Sequence, residues 1–174
     1  MPVCEECGSR QVEPALVEGV EVESCHLCGH IQGDGDAVHL ARERLEARER
    51  GVDPVVYPLV TALERVPTFR VVGSSAGRAD RSEYPFVFLR VREGGLEDLE
   101  RLLTSLEMAN RATKRRWVVE LSLQRGLLFI LRPRFWKPVL EITATDVEEA
   151  RCDLPVLAAA IRRDVALGWW RGGG

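Results

Sequence analysis

Hydrophobic and polar positions change their spacing several times along this chain, and each change marks an element. Val20 and Val22 alternate with Glu21 and Glu23, the two-residue period of a half-exposed strand, with Pro14 and Gly19 as punctuation. From Asp36 to Arg50 the pattern predicts a helix, with Asp34 or Asp36 capping its start and Gly51 its end. Its apolar stripe of Val38, Ala41 and Leu45 is narrow, and the rest is alternating charge. That pattern suits a helix lying on a larger domain; a spacer or a dimer seam is the other use of such a helix. Val52-Asp53-Pro54 breaks it.

Beyond this point helical and strand periods alternate. Val56, Leu59, Val60 and Leu63 make a helical face, and Phe69 to Val72 reads as a strand. Phe86 to Val91 is a second strand, with Val87, Leu89 and Val91 on one side and Phe86, Phe88 and Arg90 on the other. Gly94-Gly95 precede a helix that should turn Leu96, Leu99, Leu102, Leu103 and Leu106 inward. Trp117 to Leu123 and Leu127 to Leu131 form a hairpin pattern about Gln124-Arg125-Gly126, and Val139 to Ile142 reads as a further strand. Thr145 and Glu148 have the spacing of a capping box for a short helix, followed by a last helix from Asp153 to Leu167. The expected organisation is a zinc ribbon over 1–35, a connecting helix over 36–53 and an α/β domain, a mixed sheet with helices, over 54–170.

Cysteine placement changes the picture most. Four of five fall in the first 28 residues, as Cys4-x2-Cys7, seventeen residues, then Cys25-x2-Cys28. Two residues between cysteines let a tight turn aim both sulfurs at one ion, and two such turns close a tetrahedron. A glycine follows each pair, Gly8 and Gly29. The spacing points to structural zinc on Cys4, Cys7, Cys25 and Cys28, since four sulfurs leave no open position for catalysis. Iron suits the same tetrahedron, and two disulfides would be the reading for a secreted chain. His26 and His30 lie beside the second pair, and Cys152 reads as a partly buried small apolar residue.

The composition, 45% hydrophobic and 29% charged over 174 residues, is that of a folded chain with room for one domain and a small module. No apolar run approaches a membrane span, and the start lacks the basic and apolar regions of a secretory signal, so the expectation is a cytoplasmic protein with no membrane partner. The net charge of −3 hides an asymmetry. Residues 1–36 carry eight acids and one base, while 37–174 carry twenty-three bases and nineteen acids. Nucleic acid is repelled by the first segment and tolerated by the second.

Two segments of the larger domain could bind anions. Gly73-Ser74-Ser75-Ala76-Gly77-Arg78 ends a strand; its small residues would let amides converge on an anion or cofactor, with Ser74, Ser75, Gly77 and Arg78 as the contacts, against the alternative of a plain turn. Arg111, Lys114, Arg115 and Arg116, then Arg132, Arg134, Phe135, Trp136 and Lys137, interleave cations with aromatics as an RNA-binding surface does. The alternative is a proline-bounded loop whose aromatics cover the core edge. Trp169 and Trp170 could dock a partner, or one of them could pack below the last helix. All three histidines lie in or next to the ribbon, which leaves the larger domain without one for acid–base work.

The stretch Tyr57-Pro58-Leu59-Val60-Thr61-Ala62-Leu63, the segment Phe69 to Arg78, and Tyr84-Pro85-Phe86-Val87-Phe88-Leu89-Arg90-Val91 together resemble the wybutosine-synthesis methyltransferases of tRNA, over residues 54–167. The resemblance implies an α/β unit that uses S-adenosylmethionine on a modified guanosine, with Ser74, Gly77 and Arg78 in the family's Ser-Cys-Ser-Gly-Arg loop. Ser75 stands where that family has cysteine and Arg90 where it has histidine, which removes two reactive side chains. Two functions follow as expectations. In one, the α/β domain associates with RNA. In the other, a non-catalytic adaptor docks a protein partner through its acidic ribbon.

Overall fold

The structure is a computed structural model and describes residues 2–122, 128–135, 138 and 141–170. The chain divides into two compact units, Met1–Pro54 and Val55–Gly174.

The first unit is a three-stranded antiparallel sheet with one helix. Strands β1 (Val12–Val17) and β2 (Val20–Cys25) form a hairpin, and β3 (Ile31–Gln32) pairs with β2 on its other side. Pro14 fits because β1 is an edge strand. Helix α1 (Gly35–Glu49) is capped by Asp34, whose side chain accepts from the amides of Asp36 and Ala37. Its apolar stripe packs on the ribbon: Ala41, Val38 and Ala37 lie against Val20 and Val22. The reason is size. A bare hairpin exposes both its faces, and α1 supplies the missing layer. Arg44 donates to the Glu18 carbonyl at 2.7 Å and Arg48 pairs with the Glu18 carboxylate, fixing the helix to the hairpin turn.

The second unit runs α2 (Tyr57–Glu64), β4 (Phe69–Ser75), β5 (Phe86–Val91), α3 (Leu96–Ala109), β6 (Trp117–Ser122), β7 (Leu128–Pro133) and α4 (Ala144–Ala166). The element order is the expected one. The sheet order is β4-β5-β7-β6, and each pairing is antiparallel. Val87, Leu89, Leu131 and Trp117 face the helices and are buried, with Leu59, Val60 and Leu63 of α2, Leu102 and Leu106 of α3, and Leu154, Leu157 and Ile161 of α4. The residues that alternate with them turn to the opposite face, where Phe86 and Phe88 are only half-buried.

Four expectations need correction. Leu96 and Leu103 of α3 are exposed, because buried Asp98, Ser105 and Ala109 occupy the inward arc instead. Residues 144–166 form one helix, not two: its capping box is Thr143 with Asp146, and Pro155 sits inside it without ending it. Cys152 is exposed on that helix. Ile142 is buried outside any strand; Val139 and Leu140 lie outside the described residues, as do the hairpin turn at Gln124-Arg125-Gly126 and the glycine tail. Trp170 is buried against Phe69, with ring centroids 5.8 Å apart, and Trp169 is exposed. Among the described residues no helix is long and apolar enough to cross a membrane.

Candidate metal centre and binding face

The sulfur atoms of Cys4, Cys7, Cys25 and Cys28 all lie within 4.8 Å of one another. The Cys4–Cys28 and Cys7–Cys25 separations are both 3.6 Å. A disulfide requires about 2.05 Å, so these are free thiols. A tetrahedron with metal–sulfur distances of about 2.3 Å has edges of about 3.8 Å, so the cluster matches the tetrathiolate shell that zinc takes. Two equivalent knuckles build it. The Gly8 amide donates to the Cys4 carbonyl, and Gly29 does the same to Cys25. Both glycines have φ near +70°, a backbone that side chains disfavour. Cys4 and Cys25 are buried, while Cys7 and Cys28 face out.

The thiols of Cys7, Cys25 and Cys28 are not equivalent protonically. The amide of Cys28 stabilises the Cys25 thiolate, assisted by the Leu27 amide and the Cys28 and Cys7 thiols, and against burial these bring it down to about 6. At Cys28 the His30 amide acts in the same direction but is outweighed by the Cys7, Cys4 and Cys25 thiols and by burial, which push it up to about 12. Cys7 is raised as well: the Ser9 amide and the Cys28 thiol lower it, and burial with the Cys4 and Cys25 thiols prevails.

Sequence reasoning missed Gln32. This buried side chain accepts from the Glu5 amide at 3.0 Å and donates to the Val3 carbonyl and to Glu23, which ties the first knuckle to β3. Its signal is weak, since the partners are 9 to 29 residues away. His26 pairs with Glu13, outside the sulfur cluster.

The expected anion loop is mostly strand. Ser74 and Ser75 belong to β4 and pair with Val87 and Phe86, after an irregularity between Val71 and Gly73. The Gly77 amide donates to the Ser75 hydroxyl, and the Arg78 amide to the Glu83 carbonyl at 2.7 Å. Those donors are therefore spent within the chain. The Arg78 guanidinium is exposed beside Asp80.

The basic segments do come together, since the Arg134 amide donates to the Arg116 carbonyl at 2.7 Å. Their side chains have different fates. Arg115 is paired with Asp146 and Glu149, and its ring neighbour is Phe135. Arg132 donates twice to Glu120, bonds the Tyr84 hydroxyl at 3.0 Å and lies over the Tyr84 ring; it is raised above its usual value because burial, which opposes the charge, is outweighed by Glu120 and Tyr84. Arg116 pairs with Glu107 on the surface. Lys114 and Arg134 are exposed, and Trp136 and Lys137 lie outside the described residues.

The cationic and aromatic surface lies partly elsewhere, on the sheet face opposite the helices. Phe86 and Phe88 stand two apart on the interior strand β5, their rings edge to face at 5.0 Å. Register places Arg132 beside Phe86, and Ile130 and then Glu120 beside Phe88. An open groove of about 790 Å³ runs over these residues to Tyr84 and Arg81. At the other end Arg70 and Arg90 lie directly opposite each other, both exposed, and neither has a partner among the described residues. No protein-family model, curated protein or solved structure matches this chain.

Proposed function

We propose that this protein binds single-stranded RNA across the open face of its second sheet, and that zinc holds the N-terminal ribbon as a structural element. The observation that carries the reading is the Phe86–Phe88 pair, half-buried on an interior strand of a face that also bears Arg70 and Arg90. Like charges directly opposite across two strands cost stability, so folding alone gives no reason for the two arginines. Aromatic faces stack only on unpaired bases, which selects single strands over duplex, and a four-stranded sheet with aromatics on its free face is a recurring platform for that purpose. Arg70 and Arg90 supply the phosphate contacts, while Arg132, held by Glu120 and Tyr84, orients the groove wall. The reading moves RNA contact away from Arg115, whose charge Asp146 and Glu149 already balance.

The test is fluorescence anisotropy with a labelled decauridine over a range of salt. Base stacking is worth about 1–3 kcal/mol per base, so Phe88→Ala should weaken binding by roughly 5- to 150-fold. Arg90→Ala should lower the salt slope by about 0.7, one phosphate contact on a single strand. Unchanged affinity in the Phe86→Ala/Phe88→Ala double variant removes the reading.

A further inference from the structure

Strand β6 is the edge of the second sheet, and residues of α3 line a cleft with it. The Arg134 amide donates to the Arg116 carbonyl, and the register pairs Trp117 with Pro133, which has no amide to give. Antiparallel ladders alternate bonded and non-bonded pairs, so the backbone groups of Trp117, Val119 and Leu121 point away from β7. Those of Trp117 are already satisfied: its amide donates to Asn110 Oδ1 at 2.7 Å and its carbonyl accepts from Asn110 Nδ2 at 3.0 Å. Val119 and Leu121 present their outward amides and carbonyls with no such cap among the described residues. Beside this edge lies a cleft of about 210 Å³, lined by Leu103 and Leu106 of α3 and by Val118 and Val119. Leu103, which lines it, is an exposed apolar side chain, as is Leu121 further along the edge strand. The cleft shares Glu107, Asn110 and Arg116 with a second hollow of about 260 Å³ that also takes in Arg111 and Lys114. The Arg111 and Lys114 side chains are exposed, with no counter-charge among the described residues.

We infer that this edge accepts an extended acidic peptide from a partner protein as an additional antiparallel strand. Main-chain bonds to Val119 and Leu121 supply register, an apolar side chain enters the cleft against Leu103 and Leu106, and carboxylates meet Arg111 and Lys114. Antiparallel addition puts the peptide's C-terminal half over the Trp117 end of β6, so its acids belong there. The cleft and the basic hollow share no lining residue with the open-face groove, which reaches β6 at Glu120, Leu121 and Ser122, so this inference stands apart from the RNA reading.

The test is selection of random ten-residue peptides, displayed on phage, against the full zinc-loaded chain. The expected winners lack proline, alternate apolar residues and carry acids in their C-terminal half. Each should bind at least tenfold more weakly to Leu121→Pro, which deletes an outward amide while leaving the β6–β7 ladder intact. Arg111→Glu/Lys114→Glu should weaken them to a similar degree and gives a second readout that does not touch the backbone. Winners without acidic excess, or with equal affinity for both variants, overturn the inference. So does loss of decauridine binding in Arg111→Glu/Lys114→Glu but not in Phe88→Ala, which would assign the basic end to phosphate.

Discussion

Gly77 shows how one residue decides between a ligand loop and a packed turn. It is buried with φ +75°, and a Cβ there would lie 2.6 Å from the Glu83 carbonyl oxygen and 2.7 Å from the Pro85 nitrogen. Both are backbone atoms, which cannot swing aside. Gly77→Ala should therefore cost about 2 kcal/mol or more, through the left-handed backbone and the clash together. The urea midpoint reads this directly, and an unchanged midpoint would mean the loop is open enough to cradle an anion. The sequence pattern of glycine and serine was the same for either outcome, because it carries no information on what Glu83 and Pro85 do. The cysteines differ. Their two-residue spacing fixes local turn geometry, so the cysteine cluster was legible before any fold. Asn110, whose amide caps the Trp117 edge position, was not, since only the folded register brings its partner to it.

Elements were legible where one face is buried and the period is unbroken. Strand β5 has the bounds its alternation predicts. Helix α4 was read as a short helix after Thr145 and a last one from Asp153, and Pro155 does interrupt its backbone hydrogen bonding. Tertiary burial of Val147, Ala150, Leu154 and Leu157 carries the helix through that interruption. Proline at that position has no amide to give the Arg151 carbonyl and crowds the preceding turn. Pro155 is exposed, so no packing depends on its ring. Pro155→Ala should stabilise the second unit by about 1–3 kcal/mol, given the interior-helix difference between these residues. A thermal or denaturant scan that finds no gain would place the helix axis in a bend that already accommodates the ring. Strand order escaped the sequence altogether. The hairpin β6–β7 is local, but which of its strands meets β5 is not, and that choice leaves β6, rather than β7, at the edge.

At the scale of the whole molecule, the two units draw stability from different sources. The second has a continuous apolar core between its sheet and helices. The first has two small clusters, one around Cys4, Val12 and Cys25 and one around Val20, Val22 and Ala41. With so few buried side chains, a metal held by the four cysteines would supply much of the ribbon's folding energy. Zinc binds thiolates. Near pH 7 Cys25, at about 6, has already lost its proton, whereas Cys28, at about 12, and the raised Cys7 have not. Loading must therefore release at least about two protons, measurable by calorimetry in two buffers of different ionisation enthalpy. The sign follows from the same count. The loaded ribbon binds no thiol protons, whereas the unfolded chain's cysteines are protonated below about 8.5, so metal-derived stability rises with pH and is lost as pH falls through and below that value. A chelator at neutral pH should abolish hydrogen-exchange protection of the β1 and β2 amides and leave that of β5 and β7 in place. Protection of β1 and β2 that survives chelation would show that the hairpin and α1 hold themselves, and that the four cysteines serve something other than the fold.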